Sequence, residues 1–103
     1  MKFSIDEKVF EKFPNFMVGV VVGRNINNQG QSEEIGNLLD LAVQKVKDQL
    51  PTDEVINSNP SITVWRNAFL SLGWNPKDIK ASIDAMVSRI AKGNAFPKIN
   101  KIV

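Results

Sequence analysis

The sequence predicts a mixed α/β fold, in which a central buried strand and three to four helices pack on a small sheet. A continuous valine-rich run at residues 16–22 is typical of a strand that is covered on both faces. Apolar residues then recur at the three/four spacing of an amphipathic helix from Ile35 to Val46. Since 103 residues make one domain at most, we expect residues 1–103 to share one core.

The composition excludes several classes of protein and site. Apolar residues form 43% of the chain and charged residues 23%, which is ordinary for a globular protein and argues against disorder. With no cysteine and no histidine, the chain cannot form a disulfide, a Ser-His-Asp triad or the usual zinc site. No apolar run approaches the roughly 20 residues of a membrane span. We therefore expect a cytoplasmic protein without a membrane contact, a metal or a cofactor.

The first half of the chain contains signals for one short strand and two helices. Residues 2–5 alternate polar and apolar side chains, as a short half-buried strand does. Asp6 is placed to cap a helix that Pro14 stops. Ser32 is placed to cap a long helix that ends before Pro51. The stretch at residues 52–60 is rich in turn formers, so we interpret it as a surface loop.

The second half predicts two more helices and a final strand. One helix begins near Pro60 and ends at Gly73, where a C-terminal glycine is favoured. The next begins at Pro76 and ends at Gly93, and its Lys80 and Asp84 are spaced to pair across one turn on the exposed side. Residues 96–103 resemble a strand or the approach to one.

A polar loop follows the predicted central strand and is the first candidate site. Arg24 and Asn25, with Asn27 and Asn28, follow the strand, where ligands of α/β folds often bind. The alternative is that these asparagines simply accept turn conformations.

The second candidate is an aromatic residue beside a guanidinium on the helix that begins near Pro60. Trp65 and Arg66, with Trp74 in the loop behind them, could stack a base or bind a phosphate. The alternative is that the tryptophans anchor the core and the arginine pairs locally.

The third candidate is a series of basic residues in the second half of the chain. Residues 55–103 carry seven basic and two acidic side chains. Three of the lysines could meet a phosphate backbone, or could simply keep the surface soluble. The series is Lys77, Lys80, Arg89, Lys92, Lys98 and Lys101, and the three lysines are Lys77, Lys80 and Lys92.

Three stretches together carry a resemblance to a known family. They are FMVGVVVGR (16–24), ITVWRNA (62–68) with GWNPK (73–77), and SIDAMVSRIAKG (82–93) followed by FPKIN (96–100). In this order and spacing they resemble standalone relatives of the B-three/B-four domain of the phenylalanyl-tRNA synthetase β subunit. In the synthetase, that domain removes tyrosine wrongly attached to the phenylalanine tRNA. The family pattern continues with further strands, so the resemblance implies that this chain is the front part of a larger domain.

The resemblance implies a tRNA-binding module related to aminoacyl-tRNA editing, which need not be active alone. Any activity would be that of an aminoacyl-tRNA deacylase that hydrolyses an ester with a bound water, and no catalytic residue is assigned. The alternatives are a non-catalytic module that binds an aromatic amino acid or a protein, and a structural fragment that pairs through an exposed strand edge, with a second copy for example. Besides Arg24 and Asn25, the RNA or substrate candidates are the residues that match the family motifs: Trp65, Arg66, Ser82, Asp84, Arg89 and Asn100. The alternative is that several of them are structural, with Arg66 and Arg89 as possible partners of Asp84.

Overall fold

The computed structural model describes residues 1–100, which contain helices and no strand. The predicted α/β fold with a central strand and a small sheet is therefore wrong for this part of the chain, which is helical. The helices are α1 (Glu7–Lys12), α2 (Glu33–Gln49), α3 (Asp53–Ser58), α4 (Pro60–Ser71) and α5 (Ser82–Ala91).

The predicted strands fail because their backbones have no partner. Residues 17–24 make no backbone hydrogen bond to any other residue within 1–100, and residues 2–5 form no strand either. Valine-rich sequence favours a strand only when a second strand completes the ladder, so propensity alone does not form a sheet. Of the strand predicted at residues 96–103, residues 96–100 are irregular and residues 101–103 lie outside the described residues.

The predicted starts and ends of the first two helices are confirmed. The Asp6 side chain accepts a hydrogen bond from the backbone N–H of Lys8 at 2.9 Å. The Ser32 hydroxyl accepts one from the N–H of Ile35 at 3.4 Å, and α2 ends before Pro51 as expected. In both cases the side chain satisfies a donor that the first helical turn leaves free.

The predicted loop at residues 52–60 is wrong, because its residues form α3. The Thr52 hydroxyl caps this helix by accepting from the N–H of Val55 at 3.3 Å, and acidic side chains occupy its first turn. Asn59 ends α3 and at once caps α4, since its side chain accepts from the N–H of Ser61 at 2.9 Å. Two caps thus convert a turn-rich stretch into a short helix.

The predicted helix that begins near Pro60 is confirmed as α4, and the last one begins later than predicted. After α4, Gly73 adopts a φ of 77°, the left-handed conformation that glycine accepts most easily. The last helix begins at Ser82 and not at Pro76. The cause is Asn75, whose side chain accepts from the N–H of Lys77 at 3.0 Å and whose carbonyl accepts from Ile79 at 3.1 Å. These bonds close a separate turn ahead of the helix.

The buried core lies in the second half of the chain, where α3, α4 and α5 meet. Its apolar members are Ile56, Ile62, Val87 and Ile90, and the end of α2 packs against it. Within residues 1–100, no residue before Ile56 is buried. The radius of gyration is 16.6 Å, against about 13 Å for a compact domain of 100 residues. The first half of the chain therefore adds apolar surface to the molecule but little core.

Candidate functional site

An open groove separates the end of α1 and the loop after it from one side of α4. Its volume is about 670 Å³, which lies within the range of about 300–1,000 Å³ that is usual for ligand pockets. The side chains that line it are mainly apolar and aromatic. We call it the aromatic groove; it is lined by Val9, Lys12, Phe13, Pro14, Asn15, Phe16, Met17, Val64, Trp65, Ala68, Phe69 and Leu72.

Trp65 supplies the largest ring of the aromatic groove and is 40% exposed. Phe69 lies one turn further along α4, with its ring centroid 6.3 Å from that of Trp65. Trp74 continues the row, 5.8 Å from Phe69, because the chain folds back after Gly73. Neither indole belongs to the buried core, so their rings offer an aromatic face to a ligand.

The second predicted member of this site, Arg66, points to a different partner. Its Nε donates to Asp84 Oδ2 at 2.7 Å and its Nη2 donates to Asp84 Oδ1 at 2.9 Å. Its Nη1 donates to Asn57 Oδ1 at 2.6 Å, and the Ser88 hydroxyl donates to Asp84 Oδ1 at 3.2 Å. This polar cluster of Arg66, Asp84, Asn57 and Ser88 joins α3, α4 and α5.

The cluster holds Asp84 in its charged form although that side chain is only 2% exposed. The hydrogen bonds from Arg66 lower the pKa of Asp84 below its ordinary value, against the opposing effect of burial. The predicted exposed pair of Lys80 and Asp84 is therefore wrong, since Asp84 is buried and Lys80 lies before the start of α5. Of the two structural pairings considered for Asp84, the one with Arg66 forms, whereas Arg89 Nε donates to the carbonyl of Ala95 at 2.8 Å.

The polar loop after residues 16–22 does not join the aromatic groove. Arg24 and Asn25 are both exposed, and Asn25 has a φ of 55°. Asn27 accepts from the N–H of Gln29 at 3.0 Å, which is an ordinary turn contact. Asn28 Oδ1 is shielded from solvent and has no hydrogen-bond partner among residues 1–100. Asn25 and Asn27 thus take turn conformations, in line with the alternative interpretation of this loop.

The remaining candidates are scattered over the surface. Ser82 is exposed in the first turn of α5. Asn100 lines a small pocket of about 120 Å³ at the start of α2, together with Lys98, whose Nζ lies 2.7 Å from Asp40 Oδ2. The lysines predicted to meet phosphate are all exposed, whereas Lys101 of the basic series lies outside the described residues. Those exposed lysines are Lys77, Lys80 and Lys92.

Of the residues that line the aromatic groove, the sequence analysis names only Trp65 as a candidate, and of the polar cluster it names Arg66 and Asp84. The sequence predicts the helices α1 and α4, but it does not reveal that they face each other across an open space. Ser88 carries a signal, because it stands four residues after Asp84 on one helix face. Asn57 carries none, because it lies in the stretch that was interpreted as a loop.

Comparisons with protein-family models, with curated proteins and with solved structures find no match to this chain. The resemblance to the synthetase domain therefore stays a prediction. Within residues 1–100, no group of three or more acidic side chains is placed to hold a metal ion. No helix in that range combines the length and the apolar character needed to cross a membrane.

Proposed function

We propose that this chain is a tRNA-binding module related to aminoacyl-tRNA editing, and that the aromatic groove is its contact surface. The observation that carries the proposal is the exposed ring of Trp65 in the groove, with Phe69 behind it and Lys12 among the lining residues. Single-stranded RNA is commonly bound by stacking its bases on aromatic rings beside positive charges. The end of a tRNA that carries the amino acid is single-stranded. In the proposed complex, that amino acid would be aromatic.

The proposal assigns binding to the groove and no hydrolysis. Among residues 1–100, its lining contains no carboxylate, and the chain has neither histidine nor cysteine. The buried carboxylate of Asp84 is already bonded to Arg66 and Ser88, so it is not free to act as a general base. We therefore expect tRNA binding without deacylation of mischarged tRNA by this chain alone.

Trp65→Ala tests the stacking part of the proposal. We expect the variant to bind tRNA roughly tenfold more weakly, since removing an aromatic platform costs about 1–3 kcal/mol per stacked base. Binding is measured by fluorescence anisotropy of labelled tRNA, with helix content checked by circular dichroism. Phe3→Ala is the control, because it removes another exposed aromatic ring that does not line the groove. Equal affinity of Trp65→Ala and the wild type would contradict the assignment of the groove.

Lys12→Ala tests the electrostatic part. Each phosphate contact adds about one to the slope of log affinity against log salt concentration. We expect this variant to lower that slope by about one, whereas Trp65→Ala should leave it unchanged. Folded protein that binds no tRNA at low salt would overturn the proposed function as a whole.

A second candidate is a module that binds a free aromatic amino acid. The observation that favours it is the carbon-rich lining of the groove, in which most of the described lining residues are apolar or aromatic. Calorimetric titration with phenylalanine and tyrosine tests it. Saturable binding that Trp65→Ala removes, together with no tRNA binding at low salt, would favour this candidate over the first.

A further inference from the structure

The valine-rich segment at residues 16–22 is uncovered on both of its sides. Met17 and Val21 are 90% and 96% exposed, and the other three valines are about half exposed. Isolated apolar side chains on a surface are ordinary, but a contiguous run of them marks a contact surface. No charged side chain stands between Lys12 and Arg24 to discourage such a contact.

The backbone of residues 17–22 is unpaired within residues 1–100, whereas the N–H of Phe16 donates to the carbonyl of Phe13 at 3.0 Å. Residues 17–24 form no backbone hydrogen bond with any residue of the described part, 1–100. Valine is among the residues that most favour strands, and a strand is stable only when its N–H and C=O groups meet those of another strand. The missing contact is therefore a strand partner, which distinguishes this surface from the aromatic groove that Phe16 and Met17 also line.

We propose that the segment at residues 16–22 pairs with the same segment of a second copy of the chain as an antiparallel two-stranded ribbon. A two-fold axis requires the surface to be complementary to itself. The register that overlaps the whole segment has Gly19 opposite Gly19 of the second copy. In all the remaining pairs, an apolar side chain lies opposite another apolar side chain. Those pairs are Phe16 with Val22, Met17 with Val21, and Val18 with Val20.

The uncharged character of the segment favours a second copy over a charged peptide. A charged strand would place its side chains opposite valines, where they would lose water without gaining a partner. The second copy instead offers apolar side chains and free backbone groups in equal number. The pairing shares Phe16 and Met17 with the lining of the aromatic groove, but it uses neither Trp65 nor Lys12. Variants at Gly19, which does not line the groove, therefore test it separately from the tRNA proposal.

Charge placed at Gly19 tests the pairing at its axis. A Cβ built on Gly19 meets no atom within 4 Å, so Gly19→Asp and Gly19→Lys fit within a single chain. In the dimer, each variant would set two like charges opposite each other, and we expect dimerisation to weaken on the order of 100-fold. Sedimentation equilibrium over a range of concentrations measures the effect, and circular dichroism checks the helices.

Mixing the two variants gives the sharpest result. Equal amounts of Gly19→Asp and Gly19→Lys would set opposite charges face to face, so we expect a heterodimer where neither variant dimerises alone. Asn37→Asp and Asn37→Lys are the controls, because they place the same charges on an exposed position of α2 and should leave dimerisation unchanged. A wild-type chain that stays monomeric while folded would overturn the proposal. So would Gly19 variants that dimerise as well as the wild type, because the interface would then lie elsewhere.

Discussion

At the scale of single residues, Arg66 joins three helices through one guanidinium group. Two of its nitrogens bind the two oxygens of Asp84, and a third binds the side chain of Asn57. Arginine suits this position because its planar fork matches a carboxylate, which a lysine ammonium cannot do. Since the Asp84 side chain is buried, loss of its partner would leave a charge without water or a counter-ion.

Breaking this pair should therefore be costly. We expect Arg66→Ala and Asp84→Asn each to lower the free energy of unfolding by about 3 kcal/mol, as is typical when one partner of a buried pair is removed. Urea denaturation measures the change. The control is Asp40→Asn, which breaks the exposed pair with Lys98 and should cost at most about 1 kcal/mol. Equal effects in the two pairs would refute the structural role of the cluster.

The same pair predicts how stability depends on pH. Arg66 lowers the pKa of Asp84 in the folded protein below the ordinary value of 3.8, so the stabilisation is fully present above that value. It is lost as the pH falls through the lowered pKa of the folded state. We expect the difference in unfolding free energy between the wild type and Asp84→Asn to be constant near neutral pH and to shrink below about pH 4. A difference that does not change down to pH 2 would contradict the assignment to this carboxylate.

At the scale of elements, α4 connects the core with the candidate site. Ile62 packs in the core and Arg66 binds α5, while Val64, Trp65 and Ala68 line the aromatic groove. The position of Trp65 thus depends on the packing of the same helix against α3 and α5. Because α3 supplies Ile56 and Asn57 to that packing, its short length makes the cap at Thr52 important.

Thr52→Ala should reveal this dependence. Loss of the cap at the start of α3 should lower the unfolding free energy by about 1 kcal/mol, which thermal denaturation detects. Thr63→Ala is the matched control, because the Thr63 hydroxyl lies within α4 and only donates back to the carbonyl of Pro60. If both variants lose the same stability, the cap is not the cause.

Local rules predicted the helices better than they predicted the contacts between them. Asp6, Ser32 and Gly73 mark helix ends by interactions within a few residues, so the sequence alone was sufficient there. The pairing of Arg66 with Asp84 joins residues 18 positions apart, so helical spacing suggested the wrong partner, Lys80, and the pairing with Arg66 was only one of the structural alternatives.

At the scale of the whole molecule, a small helical core carries a long apolar segment outside it. The core lies in α3, α4 and α5, and the radius of gyration of 16.6 Å reflects the open first half. The prediction of a sheet is wrong because valine-rich sequence favours a strand only when a second strand pairs with it, and residues 1–100 contain no strand. The fold class therefore depends on whether a second strand pairs with residues 16–22, and the pattern of that one segment does not reveal this.

The central claim is that residues 17–24 lie outside the helical core and form no sheet within one molecule. Amide hydrogen exchange of the Gly19→Asp variant tests this claim most directly. Amides exchange slowly where they are hydrogen-bonded in a stable core and quickly where they are open to water. We predict slow exchange in α4 and α5 and fast exchange throughout residues 17–24, because the variant cannot pair with a second copy. Slow exchange at residues 17–24 in a chain shown to be monomeric would contradict the account, since the segment would then lie in a sheet within one molecule.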